Sequence, residues 1–167
     1  LSLKDIRVAW AASFPRYPVA KQIQTAVEKL AGELQPLCLS VSETLPEIDF
    51  WSEHIAFEEI VSSILSVADP GADRTKLALQ SVEDYLTALH KRDHSIQIWE
   101  QFFEEWDVLL CPVSMMTAFP HCEPGAPLTV DGELVPYPLG NSYCKIFNYT
   151  GHPAIVLPYE RDTEGLP

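Results

Sequence analysis

Basic side chains are scarce in this chain. Its 167 residues include 11 Lys and Arg against 24 Asp and Glu, which gives a formal net charge of -13. Nucleic acid backbones and anionic lipid surfaces repel such a chain, so we expect it to bind neither. No apolar run approaches the roughly 20 residues that span a bilayer. Lys4, Asp5 and Arg7 interrupt the apolar residues at the N-terminus, so no signal peptide is predicted.

Glycine is also sparse, and the seven glycines are scattered along the chain. A phosphate-binding loop needs clustered glycines so that backbone N–H groups can approach an anion, and a serine-hydrolase elbow needs Gly-x-Ser-x-Gly. The sequence contains neither pattern. Nucleotide binding and an unrelated α/β-hydrolase-like domain are therefore not favoured, and no cofactor is expected.

Cysteine-pairing motifs are absent as well. None of the four cysteines (Cys38, Cys111, Cys122 and Cys144) belongs to a Cys-x-x-Cys or Cys-x-x-His motif. We interpret them as reduced thiols, which predicts a cytoplasmic location. A disulfide framework and a zinc site are the less favoured alternatives, and no metal is assigned.

The chain nevertheless has enough apolar residues for a core. Hydrophobic residues make up 47% and charged residues 21% of it, which is typical of a folded globular domain. Residues 1–167 are therefore predicted to form a single domain. Because the first residue is Leu1 and not Met, we expect this domain to be part of a longer protein.

The order of apolar patterns predicts an α/β fold, with a short mixed sheet covered by helices. Residues 6–10 have the pattern of a strand, and apolar residues recur at spacings of three and four over residues 19–34, which indicates an amphipathic helix. Pro36 ends this helix, and residues 37–41 have the pattern of a second strand. A strand, a helix and a strand in about 40 residues favour a parallel unit with a right-handed crossover.

Two long helices are predicted in the middle of the chain. The first covers about residues 49–68 and is apolar around most of its circumference, so we expect it to be buried from more than one side. A turn is predicted at residues 69–71. The second helix covers about residues 75–105, and Arg92 lies on its apolar stripe, where it either extends to solvent or pairs with a buried carboxylate.

The last third of the chain is predicted to contain short strands and loops. Residues 108–111 indicate a buried parallel strand, followed by a loop over residues 113–127 in the position where α/β proteins bind ligands. Asp-Gly between β-forming residues predicts a hairpin over residues 129–135. Residues 143–149 form either a helix or an irregular segment, and residues 154–157 indicate another apolar strand.

Single residues that could carry chemistry lack the partners they need. Ser114 follows a strand end, but no Asp–His pair serves it, so a place in the loop or pocket wall is favoured over a nucleophile. His90 and His94 share a helix face and could hold a metal, although a solvated face is favoured. Cys111 and Cys144 have no recognisable base, which favours structural roles.

Three segments in order resemble the C-terminal half of the amidase signature family. They are residues 4–10 with the helix that follows, residues 102–112 with an Asp-Val-Leu-Leu-x-Pro pattern, and residues 148–154 with an Asn-x-x-Gly-x-Pro-Ala pattern, followed by Pro158 and residues 165–167. The resemblance extends along essentially the whole chain. It implies an incomplete amidase-signature fold whose catalytic N-terminal half precedes Leu1.

The resemblance also implies hydrolysis of the carbon–nitrogen bond of a small-molecule amide by a Ser–cis-Ser–Lys triad. No segment here matches the family's serine- or lysine-bearing motifs, so no catalytic residue is assigned and the isolated chain is expected to be inactive. In the family, two regions that match this chain help to shape the substrate pocket, although ordinary packing is an equal alternative. The residues predicted to bind substrate are Ser114, Met115, Met116, Ser142, Tyr143, Ile146 and Phe147.

Other interpretations stay open from the sequence. A non-catalytic amidase-like binding module would lack the serine and lysine motifs upstream in the same reading frame, whereas a fragment would have them. A free-standing amidase and an amidotransferase subunit are not distinguished. An incomplete sheet would have an unpaired edge and an uncovered apolar face, so we expect homo-oligomers through that sheet.

Overall fold

The computed structural model describes residues 2–68 and 81–166. The turn predicted at residues 69–71 and the first residues of the helix predicted from residue 75 lie outside the described residues. Within them, the chain has the α/β architecture that the sequence predicts. Two 3₁₀ turns, Leu3–Asp5 and Tyr137–Leu139, accompany the helices and strands.

Three short parallel strands form the main sheet. They are β1 (Arg7–Trp10), β2 (Ser40–Glu43) and β3 (Val108–Leu110), in the order β2-β1-β3. Parallel neighbours need a crossover connection, and helix α1 (Lys21–Leu34) provides it between β1 and β2. The predicted strand–helix–strand unit is confirmed, although β2 begins at Ser40, after the predicted start.

The register of the sheet is held by a side chain as well as by the backbone. Val8 lies opposite Val41 on one side and Val108 on the other. The Asp107 carboxylate accepts hydrogen bonds from the Arg7 backbone N–H at 2.7 Å and from its guanidinium at 2.8 Å. The Asp107 N–H donates in turn to the Arg7 carbonyl at 2.9 Å. This bidentate pair joins the starts of β1 and β3.

Helix α1 begins two residues later than predicted because a distant hairpin caps it. The Ala20 N–H donates to the Met115 carbonyl at 2.8 Å, and Ala20 has a non-helical backbone, with φ of -59° and ψ of 137°. The Lys21 N–H donates to the Asp131 carboxylate at 2.8 Å. A carboxylate at a helix N-terminus satisfies a free N–H and complements the helix dipole.

Asp131 is presented by the predicted hairpin, which is confirmed. Strands β4 (Leu128–Val130) and β5 (Glu133–Val135) pair antiparallel. Asp131 and Gly132, with φ of 49° and 88°, form the two-residue turn between them, and positive φ at both positions suits the twist of a hairpin. Among the described strands, antiparallel pairing is confined to this hairpin, so the sheet expected to be mixed is instead a parallel sheet and a separate hairpin.

Three helices pack into a layer over the core. They are α2 (Phe50–Ala68), α3 (Val82–Glu105) and α4 (Ser142–Thr150), and α2 packs against both α3 and α4. Asp49 accepts hydrogen bonds from the first N–H groups of α2, and Ser81 caps α3 in a capping box. Of the two structures open for residues 143–149, the helix is the one observed.

Arg92 of α3 takes neither of the two roles expected from the sequence. Its Nε–H donates to the backbone carbonyl of Tyr149 at 2.6 Å, and its side chain is partly buried. This carbonyl belongs to the last turn of α4, where carbonyl groups lack partners inside the helix. Arg92 therefore joins α3 to the C-terminal end of α4.

Aromatic side chains fill the core between the helices and the sheet. Phe14 stacks on Phe50 at 4.6 Å between ring centroids and lies 4.9 Å from the ring of Tyr143. Trp99, which is fully buried, meets Phe50 edge-to-face at 6.3 Å. Offset and edge-to-face contacts of this kind orient the rings and so fix α4 relative to α2 and α3.

Apolar side chains are more exposed than expected in three segments. Residues 154–157 form no strand, and Ile155 and Val156 are 81% and 65% exposed. Helix α2 is buried from more than one side as predicted, by α3 and by α4, but Ile64 and Leu65 near its C-terminal end are about half exposed. Strand β3 forms as predicted but Val108 is 46% exposed, since β3 has a neighbour on one edge only in the described sheet.

Candidate functional site

A groove of about 910 Å³ lies beside the open edge of β3. Its lining comes from three parts of the chain: the end of α3 with β3, one face of α4, and the segment that follows α4. The lining residues are 103, 106–113, 143–144, 147–148 and 152–156. Its volume suits a small organic molecule.

Local sequence features place each wall. Pro112 ends the strand wall, because proline offers no N–H to a further ladder. On α4, Tyr143 and Phe147 are four residues apart and so share one face. Gly151 has φ of 78°, and this left-handed residue ends α4 and directs residues 152–156 back along the groove.

The residues predicted to bind substrate divide between the core and the groove. Tyr143 and Phe147 line the groove. Met115, Ser142 and Ile146 are fully buried, and Met115 and Ile146 belong to the hydrophobic core. That these residues touch a substrate stays a prediction.

Ser114 and Met116 lie in the loop that joins the strand wall to the helix wall. The Ser114 hydroxyl donates to the Gly140 carbonyl at 3.3 Å, and the Met116 N–H donates to the Ser114 oxygen at 3.4 Å. The Cys144 thiol donates to the Val113 carbonyl at 3.2 Å. The Cys144 bond attaches the loop to α4, and the Ser114 bond attaches it to Gly140, which precedes α4; Ser114 itself lies outside the groove lining.

The lining of the groove is electrically neutral apart from one paired carboxylate. Burial, with the nearby Cys144 thiol, raises the pKa of Cys111 to about 12, and burial raises the pKa of Cys144 as well. Burial raises the pKa of Tyr143 to about 12. Asp107 is ionised, since hydrogen bonds from Arg7 lower its pKa to about 2. Protonated thiols are poor nucleophiles, so this wall can bind but is not set up to react.

His152 is the one imidazole in the lining. Its ring lies 5.4 Å from Phe103 and 6.1 Å from Trp99, centroid to centroid. Burial lowers the pKa of His152, and the charge of Glu100 opposes that effect only in part. The ring is therefore neutral near pH 7 and packs as an aromatic group.

The two histidines considered as metal ligands do not form a site. His90 and His94 are both exposed on α3. No group of three or more His, Cys, Asp or Glu side chains that could hold a metal ion occurs in residues 2–68 and 81–166. In the same residues, no helix is long and apolar enough to cross a membrane.

A polar cluster lies in the helical layer, outside the groove lining. Glu53 of α2 is buried, and its Oε2 has no hydrogen-bond partner among the described residues. The indole N–H of Trp99 and the hydroxyl of Tyr149 in the same layer are likewise buried without partners there. Burial raises the pKa of Glu53 to about 7, an effect that the facing Trp99 N–H reduces and the Asp49 charge increases.

Several groove residues were not singled out from the sequence as binding residues. Trp106, Cys111, Asn148 and His152 line the groove. All four belong to the segments that carry the amidase resemblance, residues 102–112 and 148–154. The motifs therefore indicate residues of the groove lining, whereas some of the predicted substrate-binding residues beside the motifs lie in the hydrophobic core.

The fold and the groove define an α/β protein with a mainly apolar surface groove. The model of the Amidase family matches residues 52–167, more than half of the chain. The chain therefore belongs to the amidase family, and it resembles amide hydrolases. No curated protein matches the chain.

A solved structure supports the same fold. The chain is similar to a bacterial aryl acylamidase that belongs to the amidase signature enzymes, with a TM-score of 0.68 and 17% sequence identity. The match covers 99% of this chain and 39% of that chain. The chain thus has the fold of part of an amidase signature enzyme and spans well under half of the length of that protein.

Proposed function

We propose that this chain supplies one wall of the substrate pocket of an amide hydrolase whose reacting serine and lysine residues lie outside residues 1–167. The observation that carries the proposal is the family match over residues 52–167, which includes the whole groove lining. The alternative is a non-catalytic module that binds amides or a partner.

The chemistry of the groove supports a binding role. Amide hydrolysis breaks the C–N bond and adds water across it, which requires a nucleophile and a proton donor for the leaving amine. Cys111 is held protonated by its raised pKa, and Ser114 donates its hydroxyl hydrogen to a backbone carbonyl. Trp106 and Phe147 offer aromatic surface to an apolar acyl or aryl group.

The proposal predicts that the purified chain binds an aryl amide without hydrolysing it. The neighbour with the same fold is an aryl acylamidase, so an N-acyl nitroanilide is a suitable probe, with calorimetry for binding and absorbance for turnover. Phe147→Ala should weaken binding by roughly tenfold, because it removes an aromatic wall. If the chain hydrolyses the probe and Ser114→Ala abolishes that hydrolysis, the prediction that the chain is inactive is wrong.

Phe119→Ala is the matched control for the binding measurement. Phe119 is an exposed phenylalanine outside the groove lining, whereas Phe147 is partly buried within it. Thermal melts of both variants separate loss of binding from loss of fold. If Phe147→Ala and Phe119→Ala bind the probe with equal affinity, the probe does not bind in this groove.

The alternative is tested on a longer gene product that contains this chain. Hydrolysis of the same probe by that product supports the amidase, whereas binding without hydrolysis favours the non-catalytic module. A free-standing amidase and an amidotransferase subunit are separated with glutamine as the amide, because the amidase releases the ammonia to water whereas the amidotransferase passes it to a second substrate. The four cysteines are free, which supports a reducing compartment such as the cytoplasm.

A further inference from the structure

Glu53 of α2 lies among buried side chains of α3 and α4. Glu53 is 7% exposed, and Trp99 and Tyr149 in the same layer are 0% and 2% exposed. The Glu53 Oε2, the indole N–H and the phenol hydroxyl have no hydrogen-bond partner among the described residues. Buried polar groups are normally hydrogen-bonded, so these two donors are available to a carboxylate that forms beside them.

Trp99 connects this buried carboxyl group to the groove. Its N–H faces Glu53. Its ring stacks on Phe103 at 5.8 Å between centroids and meets Phe147 edge-to-face at 5.7 Å. Phe103 and Phe147 line the groove, whereas Glu53 and Trp99 lie outside its lining. Because a close-packed interior transmits strain, a movement of the indole changes the position of this aromatic wall.

We propose that Glu53 and Trp99 are positioning residues for the groove, and that loss of the Glu53 proton draws the indole toward α2 and loosens the aromatic wall. A carboxylate accepts a shorter and stronger hydrogen bond from an N–H than a neutral carboxyl group does. An indole that moves toward it gives up part of its contact with Phe103 and Phe147. The groove should therefore bind an aromatic ligand more tightly at acidic than at alkaline pH. This effect on binding rests on the proposed function, whereas the movement of the wall does not.

The groups that face Glu53 determine the pH at which this change occurs. Its charged or titratable neighbours are Asp49 before α2, Tyr17 between β1 and α1, and Tyr149 of α4, while α3 contributes the neutral indole. Burial raises the pKa of Glu53 to about 7, an effect that the indole N–H reduces and the Asp49 charge increases. Burial also raises the pKa of Tyr17 and of Tyr149, so both keep their protons while Glu53 titrates.

Other charged side chains of the helical layer act on different groups. Those that act on Tyr149 are Arg92, Glu59 and Asp93. Lys145 and Glu58 face His54, whose pKa is lowered by burial and by the Lys145 charge. His54 is therefore already neutral at the pH where the carboxyl group of Glu53 ionises.

The position of the wall is tested by NMR of the chain with ¹³C-labelled phenylalanine. The ring signals of Phe103 and Phe147, assigned with leucine variants, should shift together with a midpoint at about pH 7. Phenylalanine carries no titratable proton, so the shift reports a change around the rings. In Glu53→Gln, where a neutral amide replaces the acid, the shift should be absent. Glu28→Gln, on the exposed face of α1, is the matched control and should retain it.

Trp99→Phe separates the indole N–H from the packing of the ring. This variant keeps an aromatic ring but lacks the donor, so the wall should stop responding while the carboxyl ¹³C signal of Glu53 still titrates. Circular dichroism checks the fold, and the isosteric Glu53→Gln decides the outcome if Trp99→Phe does not fold. Wall signals that stay constant through pH 7, or that shift equally in either variant, would overturn the proposal.

Calorimetry with the N-acyl nitroanilide tests the effect on binding. The affinity of the wild-type chain should fall roughly threefold between about pH 6 and about pH 8, which is part of the contribution of one aromatic pair. Glu53→Gln should keep the higher affinity throughout. Burial lowers the pKa of His152 in the lining, so this imidazole titrates at lower pH than Glu53.

The two readouts fail in different ways. A chain that does not bind the probe at any pH would contradict the proposed function, and the ring signals would still decide whether Glu53 moves the wall. Rings that shift while the affinity stays constant from pH 6 to pH 8 would overturn the control of binding by Glu53.

Discussion

Glu53 is a carboxyl group in a setting that favours its neutral form. It is 7% exposed and faces the Trp99 indole, with Tyr149, Tyr17 and Asp49 as the other nearby titratable or polar groups. Burial raises its pKa from 4.5 to about 7. Because the folded pKa exceeds the unfolded one, the stabilising effect of its proton is complete below pH 4.5 and is lost as pH rises through about 7.

We therefore predict that Glu53→Gln removes a destabilisation that the wild-type chain shows at alkaline pH. We expect the free energy of unfolding of the variant, compared with that of the wild-type chain at the same pH, to be higher at about pH 8 than at about pH 4.5, by up to about 3 kcal/mol. Chemical denaturation of both proteins across this range measures the difference. Glu28→Gln, on the exposed face of α1, is the control. Parallel pH profiles for Glu53→Gln and wild type would refute the prediction.

Burial of Glu53 could not be predicted from the sequence. Glu53 lies on a helix that was correctly predicted, but its burial depends on Trp99 and Tyr149, which lie on two other helices. The same holds for Asp131, whose hairpin was predicted while its capping of α1 was not. Periodicity reports which residues share a face and not which distant residues cover it.

Among the elements, α1 and α4 contain glycines with opposite conformational demands. Gly32 lies inside α1 with open space around its missing Cβ, whereas Gly151 ends α4 with φ of 78°. Glycine costs helix stability in a helix interior but is favoured at a left-handed C-terminal position. The two positions therefore form a matched pair.

We predict that Gly32→Ala stabilises the chain and that Gly151→Ala destabilises it, each by about 1 kcal/mol. A Cβ at Gly151 would only touch Arg92 at an ordinary 4.0 Å, so the cost comes from the backbone. Urea denaturation of both variants measures the free energies. A gain in stability for Gly151→Ala would contradict this account of how α4 ends.

At the scale of the whole molecule, the net charge of -13 opposes the compact state. Favourable pairs such as Arg7–Asp107 and Lys145–Glu58 are weakened by salt, but 24 acidic residues against 11 basic ones leave repulsion in excess. We predict that raising NaCl from ~0.01 M to ~0.5 M increases the melting temperature by a few degrees.

Calorimetry at protein concentrations where the chain is monomeric checks this prediction, so that any dimer does not contribute. Replacing several exposed carboxylates by their amides should raise the melting temperature in low salt and reduce its salt dependence. A melting temperature that falls with NaCl would mean that the ion pairs outweigh the repulsion.

The sequence by itself determined the local and periodic features of this protein. These features depend on residues close together in the chain. They are the βαβ order, the central part of each helix that carries an apolar stripe, the Asp-Gly hairpin and the motifs that resemble amidases. Only the tertiary structure decided that residues 154–157 form no strand with the other described residues, that Met115 and Ile146 enter the core, and that the groove forms beside β3. A strand needs a paired neighbour and a cleft needs several walls, and these come from residues distant in the sequence. No local pattern specifies which distant residues those are.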